Sequence, residues 1–301
     1  MRRLLVLLLT LTLLLCACTR QPDPIDPTPD TPPAPDTPQR YGVTLAELDV
    51  ELVIGERSVD DLAQLQKKLP ALLIDVLAEQ NVAVSTVHVT FGASAEATAE
   101  ALRAGSVQVG FLPTETFFAH ETALQPVAVG QPGVGAAILC DGAPTAQSIR
   151  AAAADGTLTW EMLAGASWCV CGERALVWLD AYLAEHFDGH TADELSITRL
   201  PALPDGDFAM NDVAYDLTVM PFVPEDGVPA EAIASGVLYS EVAVVSAADE
   251  IVSSDAFTAA LSAALEDESL ADVLALYGVQ GYRADAEGAL LADTRMVYGR
   301  G

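Results

Sequence analysis

The chain has 301 residues, 51% of them hydrophobic, and a formal net charge of −29 from 14 Lys and Arg against 43 Asp and Glu. A chain this acidic lacks the basic clusters that neutralise phosphate backbones or anionic headgroups, which excludes nucleic acid and adsorption to anionic lipid. A small anion is not excluded, because surface charge is screened beyond about 8 Å at physiological ionic strength, whereas helix N-termini lining a pocket act at contact distance.

Arg2 and Arg3 precede an apolar run from Leu4 to Leu15. That run is too short to span a hydrocarbon core of about 30 Å, so residues 1–17 read as a secretory signal peptide. Ala17 directly precedes Cys18, with Leu15 two places before Ala17. This spacing resembles a bacterial lipobox and makes Cys18 the expected lipidation site, with the lipid as the expected membrane anchor. From Thr19 to Arg40 the composition is dominated by Pro, Asp and Thr. Such a segment cannot bury enough apolar surface to fold, so residues 18–40 are expected to form an extended tether. A PxxP recognition ligand is the alternative reading of the same prolines.

The remaining stretch is long enough for one two-lobed unit or two small domains. Leu48 to Ile54 reads as a strand that ends at Gly55-Glu56-Arg57-Ser58. A helix follows on Leu62, Leu65, Leu69, Leu72, Leu73, Val76 and Leu77, with Pro70 expected to break or kink it. Val87, Val89 and Phe91 alternate as a strand, and Ser94 stands where it can cap a helix whose apolar face is Ala97, Ala101, Leu102 and Ala104. After Gly105, Val107, Val109 and Phe111 form a strand that empties into Pro113-Thr114-Glu115-Thr116, and Gln125 to Val129 begins another. Strands alternating with helices of this length predict parallel βαβ units. The expected second lobe comprises a strand at Gly135 to Cys140, a helix at Ala146 to Ala154 and a strand at Trp168 to Cys171 entering a Gly172 loop. A helix from Arg174 to His186, buried through Leu176, Leu179, Tyr182 and Leu183, and strands at Leu195 to Leu200 and Leu217 to Val223 complete it. Leu238 to Val245 is then read as the return to the first lobe, closed by helices at Asp255 to Leu265 and Ser269 to Tyr277. No internal sequence repeat is evident.

Three segments carry a family resemblance. Ser94-Ala95-Glu96-Ala97, Leu102-Arg103-Ala104-Gly105 and the run from Phe111 to Phe117 match, in order and spacing, a helix start, helix end and ligand loop. Thr159-Trp160-Glu161-Met162-Leu163-Ala164-Gly165 matches the motif before the second lobe's first ligand strand. Ala275-Leu276-Tyr277-Gly278-Val279-Gln280-Gly281-Tyr282 matches a closing helix and Gly-Tyr turn. Over residues 48–298 the chain resembles the phosphate/phosphite/phosphonate substrate-binding proteins of ABC transporters. The resemblance implies a type II periplasmic-binding-protein fold: two α/β lobes, each a mostly parallel sheet flanked by helices, joined by a two-segment hinge that closes on ligand. Its lobes would be residues 41–131 with 237–301, and residues 132–236. It further implies an extracytoplasmic monomer that delivers a small phosphonate-like anion to a membrane permease, without a cofactor. A non-transport sensor or scaffold that reuses the fold is the alternative.

Ligands bind at the edge where strands hand over to helices, and this rule together with the ligand loops that the resemblance implies assigns the candidate residues. They are Arg57 and Ser58, then Ser94, Thr114, Thr116 and Phe117, then Cys171, Gly172 and Arg174, and finally Tyr239, Ser240 and Glu241. The chain departs from the family at three places. Ala95 stands where the family often has Tyr; Cys169-Val170-Cys171-Gly172-Glu173-Arg174 replaces a Ser/Thr-rich anion cradle; Ser240-Glu241 replaces Asn-Asp. Arg57 and Arg174, one per lobe, are candidate substitutes for the missing hydroxyls, since an arginine grips an oxyanion through two parallel N–H bonds. Both also read as arginines solvating helix starts. Glu241 stands where a family member can place an acid against a ligand amine, and it reads equally as an exposed carboxylate. Phe117 and Phe118 read either as pocket wall or as core.

Enzymatic signatures are missing: no GxSxG, HExxH, Walker or dinucleotide motif occurs. His186 and His190 have helical metal spacing, but Asp188-Gly189 between them is expected to end the helix. Cys140, Cys169 and Cys171 are a poor match to a zinc site and read as buried thiols, or as one disulfide from Cys140 to either neighbour of Val170.

Overall fold

The computed structural model describes residues 41–55, 57–140, 143–201, 214–285 and 287–299, which belong to one compact unit spanning Tyr41–Gly301. Residues 1–40, with the expected signal peptide, lipidation site Cys18 and tether, lie outside the described residues, as does Glu56 of the first turn.

The first sheet contains β1 (Val43–Val53), β2 (Val82–Gly92), β3 (Val109–Pro113) and β4 (Leu124–Gln131). A second sheet holds β5 (Val134–Cys140), β6 (Trp168–Cys171), β7 (Ile197–Leu200), β8 (Leu217–Phe222) and β9 (Ala232–Leu238). The chain then returns to the first sheet with β10 (Glu241–Ser246) and β11 (Gly281–Ala284). The strand orders are β11-β4-β10-β3-β1-β2 and β7-β6-β8-β5-β9. In each sheet the lobe's first strand lies between its second and third. The strand arriving from the other lobe then separates the third from the fourth and runs antiparallel to both. The same plan is thus built twice, although the sequence shows no repeat. β1 pairs parallel with β2 from Val43↔Val82 to Val53↔Gly92, and with β3 at Val50↔Val109.

Helices cover these sheets: α1 (Val59–Glu79), α2 (Ala95–Arg103), α3 (Thr114–His120), α4 (Pro144–Ala154), α5 (Trp160–Ala164), α6 (Glu173–His186), α7 (Asp255–Leu265), α8 (Glu268–Leu274) and α9 (Ala292–Tyr298). The two-lobed α/β reading matches this architecture, and several local expectations need correction. Pro70 does not break its helix, because α1 runs through it and buries Leu65, Leu69, Leu73, Val76 and Leu77. Each of those side chains contributes roughly 1.5–3 kcal/mol on burial, against about 3 kcal/mol for an internal proline. The buried face of α2 is Thr98, Ala99 and Leu102, while Ala97 is exposed. Thr114 and Thr116 start a helix instead of lying in a loop. The returning strand read from Leu238 to Val245 starts only at Glu241, as β10; Leu238 instead ends β9, a strand the sequence reading did not include, which pairs with β5 in the second sheet. β9 holds Ser235 and Gly236 among apolar residues, so it shows no clear alternation of its own.

Each lobe has its own core, one around Leu48, Phe111, Phe257 and Tyr277, the other around Trp168, Trp178, Leu179 and Val219. A further apolar cluster joins Phe117, Phe118 and Val242 of the first lobe to Tyr239 at the crossing and to Leu291 before α9. The chain passes between sheets at Gln131–Val134 and at Tyr239–Ser240. At Gly133 a Cβ would lie 2.7 Å from Val237 and 2.8 Å from the Tyr239 ring, so glycine there lets the two crossings pack side by side. No helix among the described residues is long and apolar enough to cross a membrane.

Candidate functional site

Arg174 sits in the first turn of α6. With Glu173 and Val177 it faces Leu238, Tyr239, Ser240 and, from α9, Tyr298 across a cavity of about 100 Å³. Three residues singled out in the sequence, Arg174, Tyr239 and Ser240, are therefore brought together where the chain crosses between lobes. Larger grooves lie between α6 and α9, beside α7, and on the other side of the α6 start between Gly172-Glu173 and Arg199-Pro201, at about 300, 480 and 380 Å³; Tyr239 and Ser240 line none of them.

Among the described residues, no side chain caps the helix start behind Arg174. Gly172 is the N-cap of α6 at φ 86°, a conformation that favours glycine, and offers no side chain to the first-turn N–H groups. An uncapped 14-residue helix leaves a partial positive charge at that end. The other candidate starts are already satisfied. Ser58 accepts from the Asp61 N–H and Ser94 from the Ala97 N–H, each at 3.1 Å. At α3 the Thr114 N–H donates to the Ser240 carbonyl at 3.1 Å, and its buried hydroxyl donates to the Tyr239 carbonyl at 2.7 Å. Thr114 thus holds the crossing. Thr116 is half-buried, while Phe117 is 1% exposed in the apolar cluster.

Arg57 is engaged inside the first lobe. Its Nε donates to the Tyr277 carbonyl at 2.6 Å, and Nη1 donates to the carbonyls of Val53 and Ile54 at 3.2 and 3.4 Å. The guanidinium lies over the Tyr277 ring, 3.6 Å from its centre, and Nη2 stands 3.6 Å from Glu241 Oε2. Glu241 also accepts a hydrogen bond from the Tyr282 hydroxyl. Burial pushes its carboxyl up to about 7, against the lowering effects of Tyr282 and Arg57. Burial likewise raises the hydroxyls of Tyr277 and Tyr282, and the neighbouring Glu241 charge adds to it. Tyr277 and Tyr282 stand in the segment that carried the family resemblance, but without charge or special spacing they had no sequence signal for this network. Tyr298 likewise had none.

Cys140, Cys169 and Cys171 are free and buried, and burial raises all three thiols, Cys171 to about 11. Cys171 packs against Cys169, Leu200, Tyr215 and Met220. α6 ends at His186 as Asp188-Gly189 predicts, and His190 instead stacks on Trp160 at 4.0 Å and bonds Glu194 at 2.9 Å.

No family model matches the chain, and no curated protein matches it. Similar solved structures exist. XAC2383 from Xanthomonas citri bound to ATP is 12% identical with a TM-score of 0.41, over 84% of this chain and 96% of that one. PhnD1 from Prochlorococcus marinus in complex with methylphosphonate is 10% identical with a TM-score of 0.38, over 83% and 96%. A binding-protein component of an ABC phosphonate transporter from Pseudomonas aeruginosa is 12% identical with a TM-score of 0.37, over 83% and 85%.

Proposed function

We propose that the chain is an extracytoplasmic, lipid-anchored binding protein that takes a small anion between its lobes and presents it to an ABC permease. The observation that carries this reading is the uncapped start of α6, whose Arg174 lines a cavity with Tyr239 and Ser240 at the crossing. Helix N–H groups and a guanidinium together suit an oxyanion, and a cavity of about 100 Å³ suits a small one. Ligand would be held without chemistry, and closure would shape the surface offered to the permease.

The test is thermal unfolding of the chain against millimolar phosphate, phosphite, methylphosphonate, aminoethylphosphonate, methanesulfonate and small carboxylates. An anion at a hundred times its dissociation constant adds about 2.7 kcal/mol. Arg174→Ala is expected to abolish that shift and leave the ligand-free melting temperature within about a degree, because the side chain is exposed. An unchanged shift in the variant removes Arg174 from the site.

The Arg57–Glu241 pair favours a second reading, a sensor or scaffold whose first-lobe half-site is filled from within. No shift with any anion at any pH selects it.

A further inference from the structure

The inference below rests on the anion-binding reading and concerns its regulation. Arg57 has five N–H donors in a rigid fork. Backbone carbonyls take Nε and Nη1, which fixes the guanidinium over Tyr277 and leaves Nη2 directed at Glu241. Their 3.6 Å separation is longer than a hydrogen bond, so attraction between the charges joins them without a made bond. The two side chains are 23% and 13% exposed. Glu241 follows Ser240, which lines the Arg174 cavity.

Among the described residues, several segments surround Glu241 on the first-lobe side. The turn after β1 presents Arg57, the turn after α8 presents Tyr277, and β11 presents Tyr282. β3 places Pro113 opposite it in register, and β4 places Gly130 beside it, where a Cβ would stand 3.3 Å from that of Glu241. Among the described residues, the charged and titratable groups acting on the carboxylate are Arg57, Tyr277 and Tyr282.

We propose that Glu241 is a proton-operated competitor for Arg57. As a carboxylate it occupies the free edge of the guanidinium. As a carboxylic acid it releases that edge and donates its own O–H to an incoming anion. One proton is taken from solvent and no covalent bond changes. The anion site thus tightens as the medium acidifies. The carboxyl, pushed up to about 7 by burial, exchanges this proton near neutrality.

The test is calorimetric titration with methanesulfonate and sulfate, whose own charges do not change near neutral pH. In the wild type, affinity is expected to fall about tenfold per pH unit above the Glu241 midpoint, as linkage to one proton requires. Glu241→Gln is expected to bind with the affinity the wild type reaches in acid, independently of pH. Tyr282→Phe removes a bond that favours the carboxylate, so the same slope is expected to begin at higher pH. Carboxyl carbon NMR of the ligand-free protein, with Glu241→Gln identifying the resonance, reads the midpoint directly. Measurable binding without a slope in the wild type, or a slope retained in Glu241→Gln, overturns the proposal. So does a Glu241 resonance titrating in the ordinary carboxylate range. If no anion binds any of the proteins at any pH, the anion-binding reading falls and takes the proposal with it, whatever the NMR midpoint.

Discussion

At the scale of single residues, the crossing is held by polar side chains that reach backbone atoms. Thr114 is 2% exposed and its hydroxyl donates to the Tyr239 carbonyl. Thr294 accepts from the Tyr239 N–H at 3.0 Å, and Asp293 accepts from the Val237 N–H at 2.9 Å. Thr114→Val keeps the shape and removes the donor, so it is expected to cost about 1–3 kcal/mol, the penalty for a buried acceptor left unmet. Urea unfolding checks this, and a loss within experimental error would show that the carbonyl finds another donor. Glu241 gives a second expectation, this time for the ligand-free protein. Its carboxyl is raised to about 7 in the fold, against about 4.3 in the unfolded chain. Between those values the folded state holds a proton that the unfolded state has released. Stability from this group is therefore fully present below about pH 4.3 and is lost as pH rises to about 7. The loss is on the order of 4 kcal/mol at most. Glu241→Gln has no such loss, so the variant's advantage over wild type should grow across that window and stay level above it. A stability difference that is flat from acid to neutral pH would sink this assignment.

At the scale of elements, the sequence was most legible where packing and local chemistry agree. Ser94 caps α2, Trp168 to Cys171 is a strand at those residues, and Asp188-Gly189 follows the end of α6. It was least legible where tertiary packing overrides local preference. Pro70 carries a helix-breaking signal, and five buried apolar side chains on one stripe outweigh it. Thr114 to His120 is too short for periodicity to reveal a helix, and β9, with Ser235 and Gly236 inside it, has no clear alternation. The candidate site divides along the same line. Arg174 with Tyr239 and Ser240 could be found from strand ends, whereas Arg57 bonds the carbonyl of Tyr277 and faces Glu241, both far away along the chain. No local pattern encodes such a contact. The Pro70 reading has a direct check. Pro70→Ala restores an N–H in the middle of α1 and is expected to stabilise the protein by roughly 1–3 kcal/mol. An unchanged or lower unfolding midpoint would mean that the helix has adapted its packing to the ring.

At the scale of the whole molecule, the lobes are joined by more than the two crossings a type II plan supplies. α9 contributes Met296 and Val297 to the second lobe's core, while its Asp293 and Thr294 hold backbone N–H groups at the end of β9 and at Tyr239. From the same helix Arg295 pairs with Glu121 and lies 5.1 Å from the Phe118 ring centre, both in the first lobe. The two footholds differ in strength. The second-lobe side is buried and hydrogen-bonded, whereas the Arg295–Glu121 pair is partly exposed, worth roughly 0–1 kcal/mol. A lobe rotation should therefore carry α9 with the second lobe and break at Arg295. Tyr298 would move with it, so the wall of the Arg174 cavity is set by the same helix that restrains the opening. Arg295→Ala tests this without unfolding anything: the melting temperature should move by no more than a few degrees. Spin labels at the exposed positions Ser106 and Ser148, one in each lobe, should then report a broader distance distribution than in the wild type. Identical distributions would mean that the crossings alone fix the lobe angle. A large fall in stability would instead make the Arg295 contact part of the core, and α9 a rigid third connection.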